Sequence, residues 1–192
     1  TISGQPHMTE ACSDELVIIT VARISPEKNT LGAIRFLQGI DPGTCRITWH
    51  LYGTHTDPDY YRQCKEAASG IPINVQFHGE IEHSAIRGVL ERGHVMYMPT
   101  LGENYGHSIV EAFVSGTPVL ISDKTPWIDL ESKKAGWDIS LDSAGFGKII
   151  EQLVTMSPEE YSEFCHGAFN LGKQIANNPD HLEQNYRLFE HE

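Results

Sequence analysis

Residues 16–28 read LVIITVARISPEK, an apolar run that is followed at once by a loop carrying charged side chains. The run at 16–22 is rich in β-branched residues, which is typical of a central parallel strand buried on both faces. Ser25 and Pro26 come next, and both residue types are favoured where a helix begins. The stretch therefore predicts a strand, a short loop and a helix that extends to about Gly39.

The same order of strand and helix repeats along the rest of the chain. Further strands are predicted at 47–53, 75–79, 94–98, 119–122 and 137–140. Helices are predicted at 58–69, 84–92 and 106–115, and from residue 144 onward with breaks at 157–158 and 178–179. Alternating strands and helices imply right-handed crossovers and a parallel sheet. We therefore predict an α/β fold, a Rossmann-like doubly wound parallel sheet of about six strands with C-terminal helices.

Length and composition predict one domain and exclude some partners. Of the 192 residues, 1–13 lack periodicity and are interpreted as a linker or fragment boundary, and 14–192 as the domain. The formal net charge of −12 argues against a nucleic-acid partner, which would need clustered Lys and Arg. No apolar stretch is long enough for a bilayer, so any membrane contact is not expected through this domain, and a cytoplasmic location is expected.

The cysteines and histidines do not predict a metal site. The four cysteines are far apart and form no CxxC pair, and the ten histidines show no HExxH spacing. Buried thiols in a reducing compartment are the expected state of the cysteines. Neither a metal nor a cofactor is predicted.

The loop after the first strand carries two cations, Arg23 and Lys28. A guanidinium can donate to two phosphate oxygens at once, and an ammonium supplies a compact positive charge. With Lys28 in the first turn of the predicted helix, both side chains could point into one crevice beside the helix N-terminus. Taken alone, such a pair is more often solvated surface, so a phosphate site needs further support.

A second loop supplies possible acceptors and donors in the segment 103–111, ENYGHSIVE. Glu103 follows a strand, and Glu111 lies in the second turn of a helix that Gly106 opens. Carboxylates are good acceptors from paired sugar hydroxyls, and the first N–H groups of a helix, at His107 and Ser108, lack intrahelical partners. The alternative interpretation is a helix with a favourable acidic first turn.

These residues together resemble a known family. The spacing of Glu103 and Glu111 is similar to the E-x7-E signature of group 1 retaining glycosyltransferases, which have two Rossmann-like domains in the GT-B fold. The stretches ARISPEKN at 22–29, ENYGHSIVEAFVSGTPVLISDKTPW at 103–127 and AGWDI at 135–139 carry the resemblance. It covers roughly residues 17–141.

The resemblance implies a role for each matching residue. Arg23 and Lys28 would bind the donor diphosphate and stabilise the leaving nucleotide. Glu103 would face the donor sugar, and Glu111 would hold the ribose hydroxyls. Backbone N–H groups would contact sugar and phosphates in the segment made of Tyr105, Gly106, His107 and Ser108. The family often has a Gly-x-Gly turn after its second strand, whereas this chain has GTHT at 53–56, so a close phosphate approach at Gly53 is a weaker expectation.

The resemblance also implies a function for the whole chain. It would be the C-terminal half of a GT-B enzyme, binding a nucleotide-sugar donor and needing no metal. An N-terminal domain absent from this chain would supply the acceptor contacts, so the isolated domain is expected to be inactive alone. Two alternatives remain at this point: a sugar-nucleotide-binding module that does no chemistry, and another enzyme of the same architecture such as an epimerase or a phosphorylase.

Overall fold

The computed structural model describes residues 14–178, which form one six-stranded sheet flanked by helices. The strands are all parallel, in the order β3-β2-β1-β4-β5-β6. In chain order the elements are β1 Glu15–Val21, α1 Thr30–Phe36, β2 Arg46–Tyr52, α2 Pro58–Ala68, β3 Asn74–Gly79, α3 His83–Leu90, β4 Val95–Met98, α4 His107–Ser115, β5 Val119–Ser122, β6 Gly136–Ile139, α5 Ser143–Thr155 and α6 Pro158–Ala176. The predicted α/β doubly wound fold is therefore confirmed.

The strand order places a topological switch point between β1 and β4. The chain first moves outward from β1 through β2 to β3, and then returns to the other side of β1 to form β4, β5 and β6. Open parallel sheets bind ligands beyond the carboxyl ends of their strands, where the order reverses. The loops that follow β1 and β4 meet at this position.

The sheet is buried by two apolar cores, one on each face. The core beneath α1, α2 and α5 contains Trp49, Tyr97 and Phe146, and the core beneath α3 and α4 contains Met98 and Phe113, all of them almost fully buried. Helix α6 packs against α4. Over residues 14–178, the helices are too short or too polar to cross a membrane.

Helix α1 begins later than the sequence indicates. Residues 26–29 form a turn in which the N–H of Asn29 donates to the carbonyl of Pro26 at 2.9 Å, and the helix starts only at Thr30. Asn29 adopts a left-handed backbone conformation, and its side-chain amide donates to the Pro99 carbonyl at 2.9 Å. The prediction that Lys28 lies in the first helical turn is therefore wrong. A contact with the distant loop after β4 holds this segment as a turn.

The other predicted boundaries agree with the structure to within one or two residues for every strand and for helices α2 to α6. The predicted linker at 1–13 and the end of the domain beyond residue 178 lie outside the described residues.

Candidate functional site

The loops after β1 and β4 are joined to each other by hydrogen bonds. The carbonyl of Glu27 accepts from the N–H of Leu101 and from the hydroxyl of Thr100, both at 3.1 Å. Asn29 adds the bond to Pro99 described above. These bonds fix the positions of two chain segments that lie on either side of the switch point, so the side chains they carry are held on one framework.

Lys28 and Glu103 form an ion pair across this junction. The Lys28 Nζ contacts the Glu103 Oε2, and their side chains are only 21% and 17% exposed. The N–H of Glu103 donates to the carbonyl of Lys124 at 3.0 Å, which ties the same residue to the loop after β5. The pair places one ammonium and one carboxylate, both largely shielded from water, at the carboxyl edge of the sheet.

Arg23 lies beside a different neighbour, the loop after β2. It lines a cavity of about 250 Å³ together with Ser25, Thr54, Thr56 and Asp57. Lys28 contacts Glu103 and does not line this cavity. The structure thus places both cations in the β1–α1 loop at the edge predicted for ligand binding. That they converge on one diphosphate stays a prediction.

Gly53 allows the loop after β2 to pass close to the loop after β1. Its φ is 156°, and a Cβ at this position would overlap the carbonyl oxygen of Ala22. The N–H of Ile24 donates to the Thr54 carbonyl at 2.9 Å directly beside it. The close packing of these two backbone segments therefore explains why a glycine is needed at position 53. The predicted contact of Gly53 with phosphate stays a prediction.

Gly106 opens helix α4 at the same edge of the sheet. Its φ of 76° lies in the left-handed region, and a Cβ would come within 3.0 Å of the Glu103 Cγ and 2.8 Å of the Ile109 Cδ1. Glycine has no side chain that could cap the helix, so α4 directs the positive end of its dipole outward from residues His107 and Ser108. This arrangement suits an anion at the position where the sequence predicts phosphate and sugar contacts.

Tyr105 anchors the start of α4. Its side chain is buried, with the ring centroid 5.4 Å from that of Trp127 and 5.0 Å from that of His107. Its carbonyl accepts a hydrogen bond from the Trp127 indole at 2.6 Å, and burial raises the pKa of its phenol. The ring therefore packs against Trp127 and His107, and the ligand contact through the backbone of Tyr105 stays a prediction.

Glu111 is a buried carboxylate that is paired with a histidine. The Nε2 of His83 lies 2.9 Å from the Glu111 Oε1, and the Glu111 side chain is 16% exposed. Burial raises the pKa of Glu111 from 4.5 to about 7. His83 is the first residue of α3 and was not predicted as a site residue. Its position just after β3, at the carboxyl edge of the same sheet, is the signal that could have revealed it.

The described residues offer no multidentate metal site. Across 14–178, no three or more His, Cys, Asp or Glu side chains are grouped so that they could hold a metal ion. Cys45, Cys64 and Cys165 are buried, and burial raises the pKa of Cys64 and Cys165 to about 11. Cys12 lies outside the described residues.

The sequence of this chain matches a known protein family. The family model for "Glycosyl transferases group 1" matches residues 8–135. A subunit of a fission yeast enzyme, the phosphatidylinositol N-acetylglucosaminyltransferase gpi3 subunit of Schizosaccharomyces pombe, is 27% identical over 120 residues. That match covers 60% of this chain and 25% of the yeast protein, so the chain spans about a quarter of that relative's length.

Solved structures share the fold at low sequence identity. Anabaena HepE, crystallised with UDP and glucose, superposes with a TM-score of 0.74 at 19% identity, over 92% of this chain and 48% of that one. Sucrose-phosphate synthase from Thermosynechococcus elongatus gives a TM-score of 0.73 at 18% identity, over 92% and 45%. This chain therefore corresponds to about half of each of these two solved structures.

Proposed function

Since this chain belongs to the group 1 glycosyltransferases, we propose that it is the domain that binds the nucleotide-sugar donor, in an enzyme that transfers the sugar with retention of configuration. The observation that carries the proposal is the contact between Lys28 and Glu103 at the switch point of the sheet. This is where a doubly wound fold binds its ligands.

The proposed diphosphate site consists of Arg23, Lys28 and the N-terminus of α4. When the bond between the anomeric carbon and the diphosphate breaks, negative charge develops on the departing nucleotide. Cations and N–H dipoles already held in place stabilise that charge without the cost of reorienting solvent. Lys28 has three donor hydrogens, so its ammonium can contact a phosphate oxygen while it keeps its bond to Glu103.

The two carboxylates are assigned to the hydroxyl groups of the donor. Glu103 is fixed by Lys28 through its side chain and by the Lys124 carbonyl through its backbone, which supports a role in orienting the donor sugar. Glu111 lies eight positions further along the chain, in the second turn of α4, and is assigned to the ribose hydroxyls. The donor diphosphate then lies between the two, beside Gly106 and the first N–H groups of α4.

A second Rossmann-like domain is proposed to supply the acceptor site, as the roughly half coverage of the solved relatives suggests. We propose that the reaction needs no metal, that the isolated domain does not transfer sugar and that the enzyme acts in the cytoplasm. Because HepE is crystallised with UDP, a UDP-sugar is the first donor to test. Family membership favours sugar transfer over the epimerase alternative.

Binding measurements on this chain test the donor site. We expect one of UDP, GDP, TDP and ADP to bind measurably by isothermal titration calorimetry, and Arg23→Ala to weaken that binding about tenfold or more. Arg62→Ala is the matched control, because Arg62 is an exposed arginine on α2 that pairs only with Asp59 and Glu66 among the described residues. If no nucleotide binds, or if both variants bind alike, the proposed site is wrong.

Turnover in the complete enzyme tests the chemistry. Once this chain is joined to its second domain, Arg23→Ala or Lys28→Ala should reduce turnover about tenfold or more, since one lost donor to a developing anion costs roughly 3 kcal/mol. NMR of the product should show that the donor's anomeric configuration is retained. Unchanged turnover in both variants would contradict the assignment, and a change at the sugar C2 without any acceptor would identify an epimerase.

A further inference from the structure

The pairing of His83 with Glu111 connects two helices that lie far apart in the chain. His83 begins α3 and Glu111 lies in the second turn of α4, and their side chains meet at 2.9 Å between Nε2 and Oε1. Helices α3 and α4 also pack against each other. The imidazole therefore approaches the carboxylate from a separate element, and its position does not depend on the conformation of the loop that opens α4.

The two oxygens of Glu111 are in different situations. The contact with His83 is made by Oε1, which lies 2.9 Å from Nε2, and this leaves Oε2 as the oxygen that a ligand hydroxyl could reach. Glu111 thus combines an oxygen that is held by the protein with one that can accept from a hydroxyl.

The protonation state of the Glu111 carboxylate also bears on its strength as an acceptor. Burial raises the pKa of Glu111 to about 7, so near neutral pH the ionised and protonated forms are close in free energy. An N–H donated to the ionised form favours that form. A carboxylate is the stronger acceptor for a hydroxyl, because hydrogen bonds to charged groups are roughly twice as strong as neutral ones.

We propose that His83 is a positioning residue for the donor. It holds Oε1 of Glu111 so that Oε2 accepts a hydroxyl from the ribose, and the pair thereby makes the site selective for ribose over dideoxyribose nucleotides. This inference rests on the proposed function, because it takes the nucleotide donor as the ligand of Glu111. It assigns the selectivity for ribose to a contact between α3 and α4.

Nucleotide analogues test the inference directly. Calorimetry would compare the tightest-binding member of UDP, GDP and ADP with its 2′,3′-dideoxy form, for the unmodified chain, His83→Ala and His83→Gln. We expect the unmodified chain to prefer the ribose form about tenfold or more. His83→Ala should lose most of that preference. His83→Gln should regain part of it, because the Gln amide can still donate to Oε1.

Controls separate positioning from a general loss of structure. His166→Ala, which removes a histidine exposed on α6, should keep the full preference. Affinity for the dideoxy form should be the same in all four proteins, since that analogue offers no hydroxyl to Glu111. An equal preference in His83→Ala and the unmodified chain would overturn the inference while leaving the donor site intact. Failure of every nucleotide to bind the unmodified chain would overturn the proposed function, and the inference with it.

Discussion

The ammonium of Lys28 contacts the carboxylate of Glu103, although 75 positions separate the two residues in the chain. Lys28 lies in the loop after β1 and Glu103 in the loop after β4, which are the two loops at the switch point. Both side chains are largely buried, so each lowers the cost of shielding the other from water. The pair therefore both joins the two loops and keeps two charges at the edge where the donor is proposed to bind.

Removing one member of this pair should affect stability and binding in separable ways. Lys28→Met leaves the Glu103 carboxylate partly buried and unpaired, so we expect the free energy of unfolding to fall by about 1–2 kcal/mol. The double variant with Glu103→Gln should recover most of that loss, because the uncompensated charge is gone. Nucleotide affinity should stay about tenfold or more below that of the unmodified chain in both variants. Urea unfolding and calorimetry measure the two effects, and recovery of affinity in the double variant would contradict a phosphate role for Lys28.

Gly53 should resist substitution because of its backbone neighbours. A Cβ there would overlap the carbonyl oxygen of Ala22, and neither backbone segment can move without disturbing the β1–β2 pairing. We expect Gly53→Ala to lower the free energy of unfolding by about 2 kcal/mol or more. Gly88→Ala is the control: Gly88 lies in α3 with open space around its Cα, so the variant should be unchanged or up to about 1 kcal/mol more stable. Chemical denaturation would show equal effects if the close approach were unimportant.

Glu111→Gln should make the domain more stable at alkaline pH while it weakens nucleotide binding. The pKa of Glu111 in the folded chain, about 7, lies above its ordinary value of 4.5, so the folded state favours the protonated form. Its contribution to stability is complete below about pH 4.5 and is lost as the pH rises through 7. The neutral Gln avoids this loss, so the gain over the unmodified chain should be below about 1 kcal/mol at pH 5 and reach at most about 3 kcal/mol at pH 8.

Thermal unfolding from pH 5 to 8.5 would measure that gain, with calorimetry for the nucleotide. His83→Gln, which changes the partner and keeps the carboxylate, serves as the comparison. A Glu111→Gln variant that is less stable than the unmodified chain at pH 8 would show that the charged form is favoured in the fold.

The histidine pair on β2 and β3 should make the sheet edge sensitive to acid. The Nδ1 of His50 lies 2.8 Å from the Nε2 of His78, and burial, followed by the charge of His78, lowers the pKa of His50, with Glu15 acting in the opposite direction. A histidine with a lowered pKa contributes stability above its ordinary value of 6.5, and that stability is lost as the pH falls. We expect the melting temperature to drop between pH 7.5 and 5, and to drop less in His78→Asn. Thermal melts followed by circular dichroism would contradict this if the melting temperature fell by the same amount in the unmodified chain and in His78→Asn.

Local sequence patterns predicted most elements but not the start of α1. Ser25 and Pro26 are good residues for a helix N-terminus, yet the chain turns there and the helix begins at Thr30. The deciding contact is the bond from Asn29 to the Pro99 carbonyl, 70 positions away, which no local pattern contains. For the same reason the sequence predicted Lys28 in a helix and gave no indication that it pairs with Glu103.

What the sequence determined by itself was the α/β architecture, the order of its elements and the two loops in which the candidate residues lie. Buried β-branched runs, helix-length intervals and punctuating Gly and Pro residues are local properties, and they specify local structure. The tertiary structure alone decided which side chains meet: Lys28 with Glu103, and Glu111 with His83. The physical reason is that these contacts depend on the order of strands in the sheet, which brings distant loops and helices together at one edge and sets the burial that shifts the pKa of Glu111.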